Sequence, residues 1–381
     1  MEKESKNKLL IDCTYVWNCY TGLAIYSITL LKGLKTYAPE IQVSVLFHKE
    51  NPYKEFEQLV GFQLDIILIP HTSEVKPVFL SHKLDRMRGK VFFEDILIDK
   101  GIDCVLTPFL TWQPFVFPEK YRQCAVIHDL QAIKLARQKS YMEALKVSMW
   151  LKFFIRKIPR LIAISSEIQR QVKSFANKKA MVIYNSLPLH DELSPVPVER
   201  IAGKKYILNV NRFYRYKNAE TLIRAFDMIK EDIPHLLYLK GSDTSVEDYP
   251  FLKDLVRSLK LEDRVILDTE DHTKEEMAYL YKHADLFVSP SRWEGFGYTP
   301  IEAALFKVPV IVSDINTFRD VTRGKFPMFN PDSAEELAQK ILDILHSPPS
   351  PEELSSTAEF FKQTYSLEKQ IRMIVDTLYK S

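Results

Sequence analysis

Residues 286–305 of this 381-residue chain read LFVSPSRWEGFGYTPIEAAL. The opening apolar run is typical of a strand buried on both faces, and a loop that contains two glycines follows it. Thr299 and Glu302 then have the spacing of a helix capping box, and Pro300 suits the first helical position. A second acid, Glu294, stands eight residues before Glu302. The stretch predicts a strand, a loop at its carboxyl end and a helix whose first turn carries Glu302.

The same alternation of apolar strands and helical patterns recurs along the chain. Runs such as CVLTPFL (104–110) and CAVIHD (124–129) precede a proline-rich stretch at 186–205, and YILNVNR (206–212) begins a second series. Between strands, AETLIRAFDMIKE (219–231) repeats apolar residues on one helical face. Repeated strand–helix units on both sides of a linker predict an α/β protein with two doubly wound domains. Ligands of such sheets bind at the carboxyl ends of strands, so a cleft between the domains is the expected site.

Composition and charge argue against several classes of protein. Hydrophobic residues make up 46% of the chain, and the net charge of +2 gives no general attraction to nucleic acid. No run approaches the roughly 18 apolar residues of a membrane-spanning helix, and the first residues lack the apolar core of a signal peptide. Cys13, Cys19, Cys104 and Cys124 have no metal-ligand spacing. A reduced, cytoplasmic environment is therefore expected.

Glycine placement argues against a dinucleotide-binding enzyme. Such a fold has a G-x-G-x-x-G pattern after its first strand, whereas Gly22 stands alone before the first predicted helix. The GFG at 295–297 lacks the third glycine. A NAD-dependent oxidoreductase is therefore disfavoured and ranks third among the hypotheses considered below. A lack of nicotinamide binding would remove it.

The second half of the chain offers a different way to bind phosphate. NRFYRYKN (211–218) follows an apolar strand and places Arg212 and Lys217 five residues apart on one short loop. A guanidinium and an ammonium could together bind a diphosphate, and the alternative is a solvated basic loop. The helix predicted after Glu294 would direct backbone N–H groups toward phosphate. Glu302 could accept hydrogen bonds from a ribose diol or simply cap its helix, and Glu294 could be a solvated loop acid.

Four segments resemble those of family 4 glycosyltransferases, also described as glycosyl transferases group 1. VSPSRWEGFGYTPIEAALFKVPVIVSD (288–314) is similar to their E-x7-E segment, and NVNRFYRYKNAETLIRAF (209–226) to their donor-phosphate segment. In the first half, CAVIHDL (124–130) resembles their His-Asp strand end, and LIAISSEIQRQV (161–172) resembles the strand and helix that follow. The match is dense from about 205 to 330.

The resemblance implies the GT-B fold, in which two Rossmann-like, doubly wound domains face each other across a cleft. Residues 1–190 would form the acceptor-side domain, 191–204 the linker and 205–360 the nucleotide-sugar-binding domain. The last segment, 361–381, would be a helix that crosses back to the amino-terminal domain. No metal or other cofactor is expected, because arginine, lysine and a helix terminus take the place of a cation in this family.

The resemblance also implies roles for individual residues. Arg212 and Lys217 would bind the donor diphosphate and stabilise the charge of the leaving group. Glu302 would hold the nucleotide ribose, and Glu294 would lie against the donor sugar near its anomeric carbon. His128 would contact the donor sugar or the acceptor from the opposite domain; without the family, a core histidine at a strand end is the simpler interpretation. Glu294, His128, Arg212 and Lys217 are accordingly the predicted catalytic residues.

Predicted donor-binding residues extend beyond these four. The full set is Arg212, Lys217, Gly241, Gly297, Tyr298, Thr299 and Glu302. Two positions depart from the family pattern, because Asn211 stands where a glycine is usual and TGLAIYS (21–27) has few glycines for its loop. The second departure leaves the recognition of the acceptor open.

The implied activity is that of a retaining glycosyltransferase. It would move a hexose-type sugar from a nucleoside-diphosphate sugar to a glycan or lipid-linked acceptor, in surface polysaccharide or glycolipid synthesis. A GT-B nucleotide-sugar epimerase would instead turn over without an acceptor. A non-catalytic sugar-nucleotide-binding subunit would bind the donor without transferring or hydrolysing it. No nucleic-acid partner is expected.

Residues 143–160, EALKVSMWLKFFIRKIPR, predict a helix with two unusual faces. One face is apolar and suits packing on a sheet: Val147, Trp150, Leu151, Phe154, Ile155 and Ile158. The other combines cations with large apolar residues: Lys146, Met149, Lys152, Phe153, Arg156 and Lys157. Such a face predicts docking on anionic headgroups, and hence a peripheral position on the inner face of a membrane. The alternative is a solvated basic face.

Overall fold

The computed structural model describes residues 7–69, 97–110, 121–130, 133, 140–187, 194–241 and 248–380. The chain divides into two compact units. The first comprises the chain to Asn185 together with the segment from Leu367 onward, and the second comprises Ser186–Ser366. The boundary after Asn185 falls before the predicted linker (191–204), part of which lies outside the described residues. The boundary before Leu367 falls after position 361, the predicted start of the last segment.

The first unit contains a parallel sheet flanked by helices. Its strands are β1 (Lys8–Asp12), β2 (Gln42–His48), β3 (Asp65–Ile69), β4 (Cys104–Thr107), β5 (Arg122–Ile127), β6 (Arg160–Ala163) and β7 (Met181–Val182). Its longer described helices are α1 (Gly22–Tyr37), α2 (Tyr53–Val60), α3 (Tyr141–Lys157), α4 (Ser166–Ala176) and the carboxyl-terminal α12 (Leu367–Tyr379). Within the described residues the strand order is β3-β2-β1-β4-β5-β6-β7.

Helix α12 packs directly on α1. Gly33 of α1 permits the close approach, since a Cβ at that position would lie 2.6 Å from Ile371 Cγ1. At the other end of α12, Arg160 Nη1 donates to the carbonyl oxygen of Leu378 at 2.5 Å. These contacts attach the end of the chain to the amino-terminal sheet.

Helix α3 confirms only part of its predicted packing face. Leu151, Ile155 and Ile158 are buried, whereas Val147, Trp150 and Phe154 are only partly buried. The rings of Trp150 and Phe154 stack at a centroid distance of 5.9 Å, so each ring covers part of the other. The inner face of α3 is therefore narrower than its sequence predicts.

The second unit repeats the design of the first. Its strands are β8 (Tyr206–Val210), β9 (Leu236–Lys240), β10 (Val265–Asp268), β11 (Leu286–Ser289), β12 (Val310–Ser313) and β13 (Met328–Phe329). Its described α-helices are α5 (Ala219–Ile229), α6 (Asp248–Ser258), α7 (Lys274–Lys282), α8 (Tyr298–Leu305), α9 (Asn316–Val321), α10 (Ala334–His346) and α11 (Pro351–Thr364). The described strands are all parallel, in the order β10-β9-β8-β11-β12-β13.

The core of the second unit forms where apolar helix faces meet the sheet. Leu222, Ile223, Phe226 and Ile229 of α5 are fully or almost fully buried, as their helical spacing predicts. They pack in one cluster with strand residues such as Ile207. The predicted α/β class with two doubly wound sheets is confirmed.

Candidate functional site

The loops that leave β8 and β11 begin side by side, because these strands pair in parallel with Leu286 opposite Ile207. The strands that follow β8 lie on one side of it and those that follow β11 lie on the other, so the strand order reverses between them. Such reversal points open a crevice at the carboxyl ends of the strands, where ligands bind. Arg212 and Lys217 follow β8, and Glu294 follows β11. Three predicted site residues therefore belong to this point of the sheet.

Lys217 and Glu294 form a buried ion pair. Lys217 Nζ lies 2.7 Å from Glu294 Oε1, and the two side chains are 15% and 10% exposed. Ser291 Oγ donates to the same carboxylate oxygen at 2.8 Å, and Thr317 Oγ1 donates to the backbone oxygen of Glu294 at 2.8 Å. Glu294 is thus not a solvated loop acid, since its charge is withdrawn from water and neutralised by the ammonium.

Arg212 differs from Lys217 because its side chain is exposed. Among the residues that the structure describes, its guanidinium has no carboxylate partner. The backbone on either side is fixed, since Asn211 N–H donates to Lys240 O at 3.0 Å and Tyr214 N–H donates to Arg212 O at 2.8 Å. Lys217 is neutralised by an acid of the chain, whereas Arg212 presents its charge to solvent from a fixed loop.

Glu302 does not form the predicted capping box. Helix α8 begins at Tyr298, and Gly297 occupies the N-cap with a φ of 82° and no side-chain hydrogen bond to the cap. Thr299 is therefore inside the helix, and Glu302 lies beyond the first turn. Glu302 Oε2 instead accepts a hydrogen bond of 2.9 Å from the Tyr281 hydroxyl of α7, and burial raises the pKa of the Glu302 carboxyl. A neighbouring helix holds this acid in place.

Two glycines shape the backbone around the site. A Cβ at Gly297 would lie 2.5 Å from Phe318 Cε1. Glycine is required here for two reasons, namely this close contact and the left-handed backbone conformation before α8. A Cβ at Gly241, which follows β9, would lie 2.2 Å from Phe213 Cε2. The N–H of Gly241 donates to Asp268 O at 2.7 Å. Both glycines have a packing role, and their contacts with a donor stay predictions.

His128 lies in the first unit, directly after β5. Its Nε2 is 2.9 Å from Pro108 O, and its ring meets that of Tyr26 edge-on at a centroid distance of 4.6 Å. Burial lowers the pKa of the imidazole to about 4, so the ring is neutral near pH 7. Because a carbonyl oxygen only accepts, Nε2 carries the proton and Nδ1 is an acceptor. His128 is thus a neutral group with an acceptor atom of its own.

The structure also bears on metal binding, membrane spans and the cysteines. Within 7–69, 97–110 and the other described ranges, no group of His, Cys, Asp and Glu is arranged to hold a metal ion. No helix in those ranges is long and apolar enough to cross a membrane. The four cysteines are buried free thiols, and burial raises the pKa of Cys104 to about 12. They pack as small apolar side chains.

Sequence reasoning missed the side chains that hold the two glutamates, namely Tyr281, Ser291 and Thr317. Ser291 stands three residues before Glu294, and this short spacing is a usable signal for a local side-chain hydrogen bond. Tyr281 and Thr317 approach from other elements of the fold, α7 and α9. Nothing in their local sequence marks them as partners of an acid.

Two parallel, doubly wound sheets, one of them with paired charges at its reversal point, define the class as GT-B. The comparison with solved structures agrees. Anabaena HepE in complex with UDP and glucose matches this chain with a TM-score of 0.69 over 98% of this chain and 100% of that one, at 16% sequence identity. The expected GT-B fold is confirmed.

Comparison of sequences shows which proteins this chain resembles. Residues 194–360 match the family model described as Glycosyl transferases group 1. The O-antigen chain mannosyltransferase RfbU of Salmonella typhimurium is 24% identical over 351 residues, which are 89% of this chain and 92% of that protein. The lipopolysaccharide core biosynthesis mannosyltransferase LpsB of Rhizobium meliloti is 42% identical over 209 residues, 52% of this chain and 58% of that one. Over residues 194–360 the chain is thus similar to the group 1 glycosyltransferases.

Proposed function

We propose that the protein transfers a hexose-type sugar from a nucleoside-diphosphate sugar, with retention at the anomeric carbon, to a glycan or lipid-linked acceptor of surface polysaccharide or glycolipid synthesis. The Lys217–Glu294 pair at the strand reversal carries the proposal, because it sets a cation and a hydrogen-bond acceptor side by side. RfbU and LpsB, named as mannosyltransferases of O-antigen and lipopolysaccharide core synthesis, support the class of sugar and acceptor. HepE, which was solved with UDP and glucose, supports the class of donor.

The residues of the second unit have tasks that suit their geometry. Lys217 would bind the diphosphate as a compact charge, and Arg212 would bind it with its guanidinium fork. Negative charge grows on the diphosphate as it leaves, and both cations and the N–H groups at the start of α8 would stabilise it. Glu294 would accept hydrogen bonds from hydroxyl groups of the sugar. These cations and the helix terminus supply the positive charge, so the proposed reaction needs no metal ion.

Glu302 and His128 would act as hydrogen-bond acceptors. Tyr281 fixes one oxygen of the Glu302 carboxyl, and the other would accept from the ribose hydroxyls. Nδ1 of the neutral His128 would accept from a hydroxyl of the donor sugar or the acceptor. Neither task requires a change of charge during the reaction.

A donor screen tests the proposal. Thermal-shift measurements with UDP-, GDP-, dTDP- and ADP-sugars identify the donor, since a ligand that binds only the folded state raises the melting temperature. Proton NMR of the product then gives its anomeric configuration, and an inverted product would contradict retention. Turnover without an acceptor would instead support the epimerase. Donor binding without transfer or hydrolysis would support the non-catalytic subunit.

The proposal includes peripheral attachment to an anionic membrane through α3. The buried side chains of this helix are Ala144, Leu151 and Ile155. Besides Tyr141, which is 73% exposed, four large apolar side chains of the helix are exposed by 36% to 61%: Met142, Leu145, Met149 and Phe153. Exposed cations accompany them: Lys146, Arg156 and Lys157. An apolar stripe with cations beside it suits a helix that lies in the headgroup region of an anionic bilayer. Met142 and Leu145 extend the face that the sequence predicts.

Vesicle sedimentation tests this attachment. Each cation near an anionic surface contributes about 1 kcal/mol, so the loss of two cations should weaken binding by about 30-fold or more. Lys146→Glu with Lys157→Glu should therefore release the protein from vesicles that contain phosphatidylglycerol. The matched control, Lys32→Glu with Lys35→Glu on the exposed face of α1, should leave binding unchanged. Equal binding to neutral vesicles, or none to either kind, would contradict the proposal.

A further inference from the structure

Three loops at the carboxyl edge of the second sheet meet at Asn218, the residue that follows Lys217. Asn218 is buried and has a φ of 60°. Its Nδ2 donates to Pro290 O at 2.9 Å and to Pro331 O at 2.8 Å. Pro290 belongs to the loop after β11 and Pro331 to the loop after β13. One buried amide thus joins both loops to the loop that carries Lys217.

Arg292 makes a second set of connections among the same loops. Its backbone N–H donates to Tyr216 O at 2.8 Å, and its Nη1 donates to Asn218 Oδ1. Its Nε and Nη2 donate to Asp332 Oδ1 at 3.1 and 2.9 Å. A planar guanidinium can serve both partners at once, whereas an ammonium is a single point charge. Arg292 therefore spans all three loops with one side chain.

These bonds bracket the Lys217–Glu294 pair. Arg292 stands two residues before Glu294, and Tyr216 and Asn218 are the two chain neighbours of Lys217. We infer that Arg292 is a positioning residue, which fixes the loop of Glu294 against the loop of Lys217 and so keeps the two charges at pairing distance. The consequence for catalysis rests on the proposed function, in which this pair meets the donor.

A role in stability alone is a poor explanation for this arrangement. The side chains of Arg292 and Asp332 are 42% and 73% exposed, and ion pairs of such exposure contribute little to folding. What the bonds do achieve is geometric, since they join segments 74 and 40 residues apart in the chain. Small errors in the placement of catalytic groups are costly for turnover.

Kinetics of three variants test the inference. Arg292→Ala and Arg292→Lys should each lose on the order of tenfold in kcat/KM with the nucleotide sugar that the wild type uses, since an ångström of misplacement can cost about 100-fold. The matched control is Arg224→Ala, which removes an arginine 48% exposed and 3.0 Å from Glu220. It should keep kcat/KM within about twofold of the wild type and melt at the wild-type temperature.

A double variant separates positioning from other effects. In a Glu294→Gln background, Arg292→Ala should have almost no further effect, because the group that it positions is already disabled. If Arg292→Ala still lowered kcat/KM about tenfold in the Glu294→Gln background, its effect would not pass through Glu294, and the inference would be overturned. So would wild-type kinetics of Arg292→Ala alone.

A crystal structure of Arg292→Ala gives a readout that needs no activity. Lys217 Nζ and Glu294 Oε1, which are 2.7 Å apart in the wild type, should separate beyond hydrogen-bonding distance. An intact pair would overturn the inference. If the wild type used none of the nucleotide sugars, the proposed function would fail, and this structure would still decide the inference.

Discussion

Lys217→Met removes one half of a buried ion pair and should cost both stability and turnover. In this variant Glu294 remains almost fully buried and keeps the Ser291 hydroxyl as a donor to Oε1. Loss of one partner of a buried pair costs about 3–5 kcal/mol, because the remaining charge stays out of water. Since Ser291 still serves that charge, we expect a loss near the lower end, about 3 kcal/mol in the free energy of unfolding. Urea denaturation measures it.

The double variant Lys217→Met with Glu294→Gln separates stability from catalysis. A neutral amide removes the uncompensated charge, so most of the lost free energy of unfolding should return. Turnover should not return, because the cation proposed to stabilise the leaving diphosphate is still missing. One such group contributes about 10²–10³ in kcat. Measurement of kcat at saturating donor completes the comparison.

Lys230→Met is the matched control for this experiment. Lys230 Nζ lies 2.8 Å from Asp227 Oδ1, with both side chains 28% exposed, so its removal should cost less than about 1 kcal/mol and leave kcat unchanged. Near-wild-type kcat in Lys217→Met would refute the assignment of Lys217 to the diphosphate. Recovery of turnover together with stability in the double variant would refute it as well.

Three further changes probe other parts of the molecule. Glu302→Gln should raise the donor KM with little change in melting temperature, because Tyr281 can still donate to the amide; an unchanged KM would contradict the ribose contact. His128 has a lowered pKa in the folded protein, so wild-type stability should fall as pH drops from 6.5 toward 4 and the unfolded chain takes up the proton. His128→Gln should reduce the slope of the stability–pH curve in that range. Gly241→Ala should lower the free energy of unfolding by about 1–3 kcal/mol through its clash with Phe213, and urea denaturation would show whether it does.

The strands and helices could be predicted because their signals are local. Continuous apolar runs mark strands such as β4 and β11, and the spacing of Leu222 and Phe226 marks the inner face of α5. The capping box shows where local signals fail. Thr299 matches the pattern, yet the cap is Gly297, because glycine alone fits a φ of 82° against Phe318. Tertiary packing prevailed over a local motif.

The candidate site shows the same difference between local signals and contacts made by tertiary packing. Arg212, Lys217 and Glu294 could be chosen from motifs and strand ends, which are short-range features. The pairing of Lys217 with Glu294 joins residues 77 positions apart, and no local pattern contains it. It follows from the parallel register of β8 and β11, which sets their loops side by side. Tyr281 illustrates the same limit, since it reaches Glu302 from a different helix.

The ion pair also bears on the order of events in the proposed reaction. In the proposed reaction a diphosphate would compete with Glu294 for Lys217, so donor binding would exchange one anionic partner of the ammonium for another without leaving it uncompensated. The exchange would release Glu294 toward the hydroxyl groups of the sugar. The Glu294 carboxylate would then become available as a hydrogen-bond acceptor only when the diphosphate has bound. Glu294→Gln removes the competitor and should bind UDP or GDP at least as tightly as the wild type, although its turnover falls. Isothermal titration calorimetry measures both affinities, and weaker nucleotide binding by Glu294→Gln would contradict the exchange.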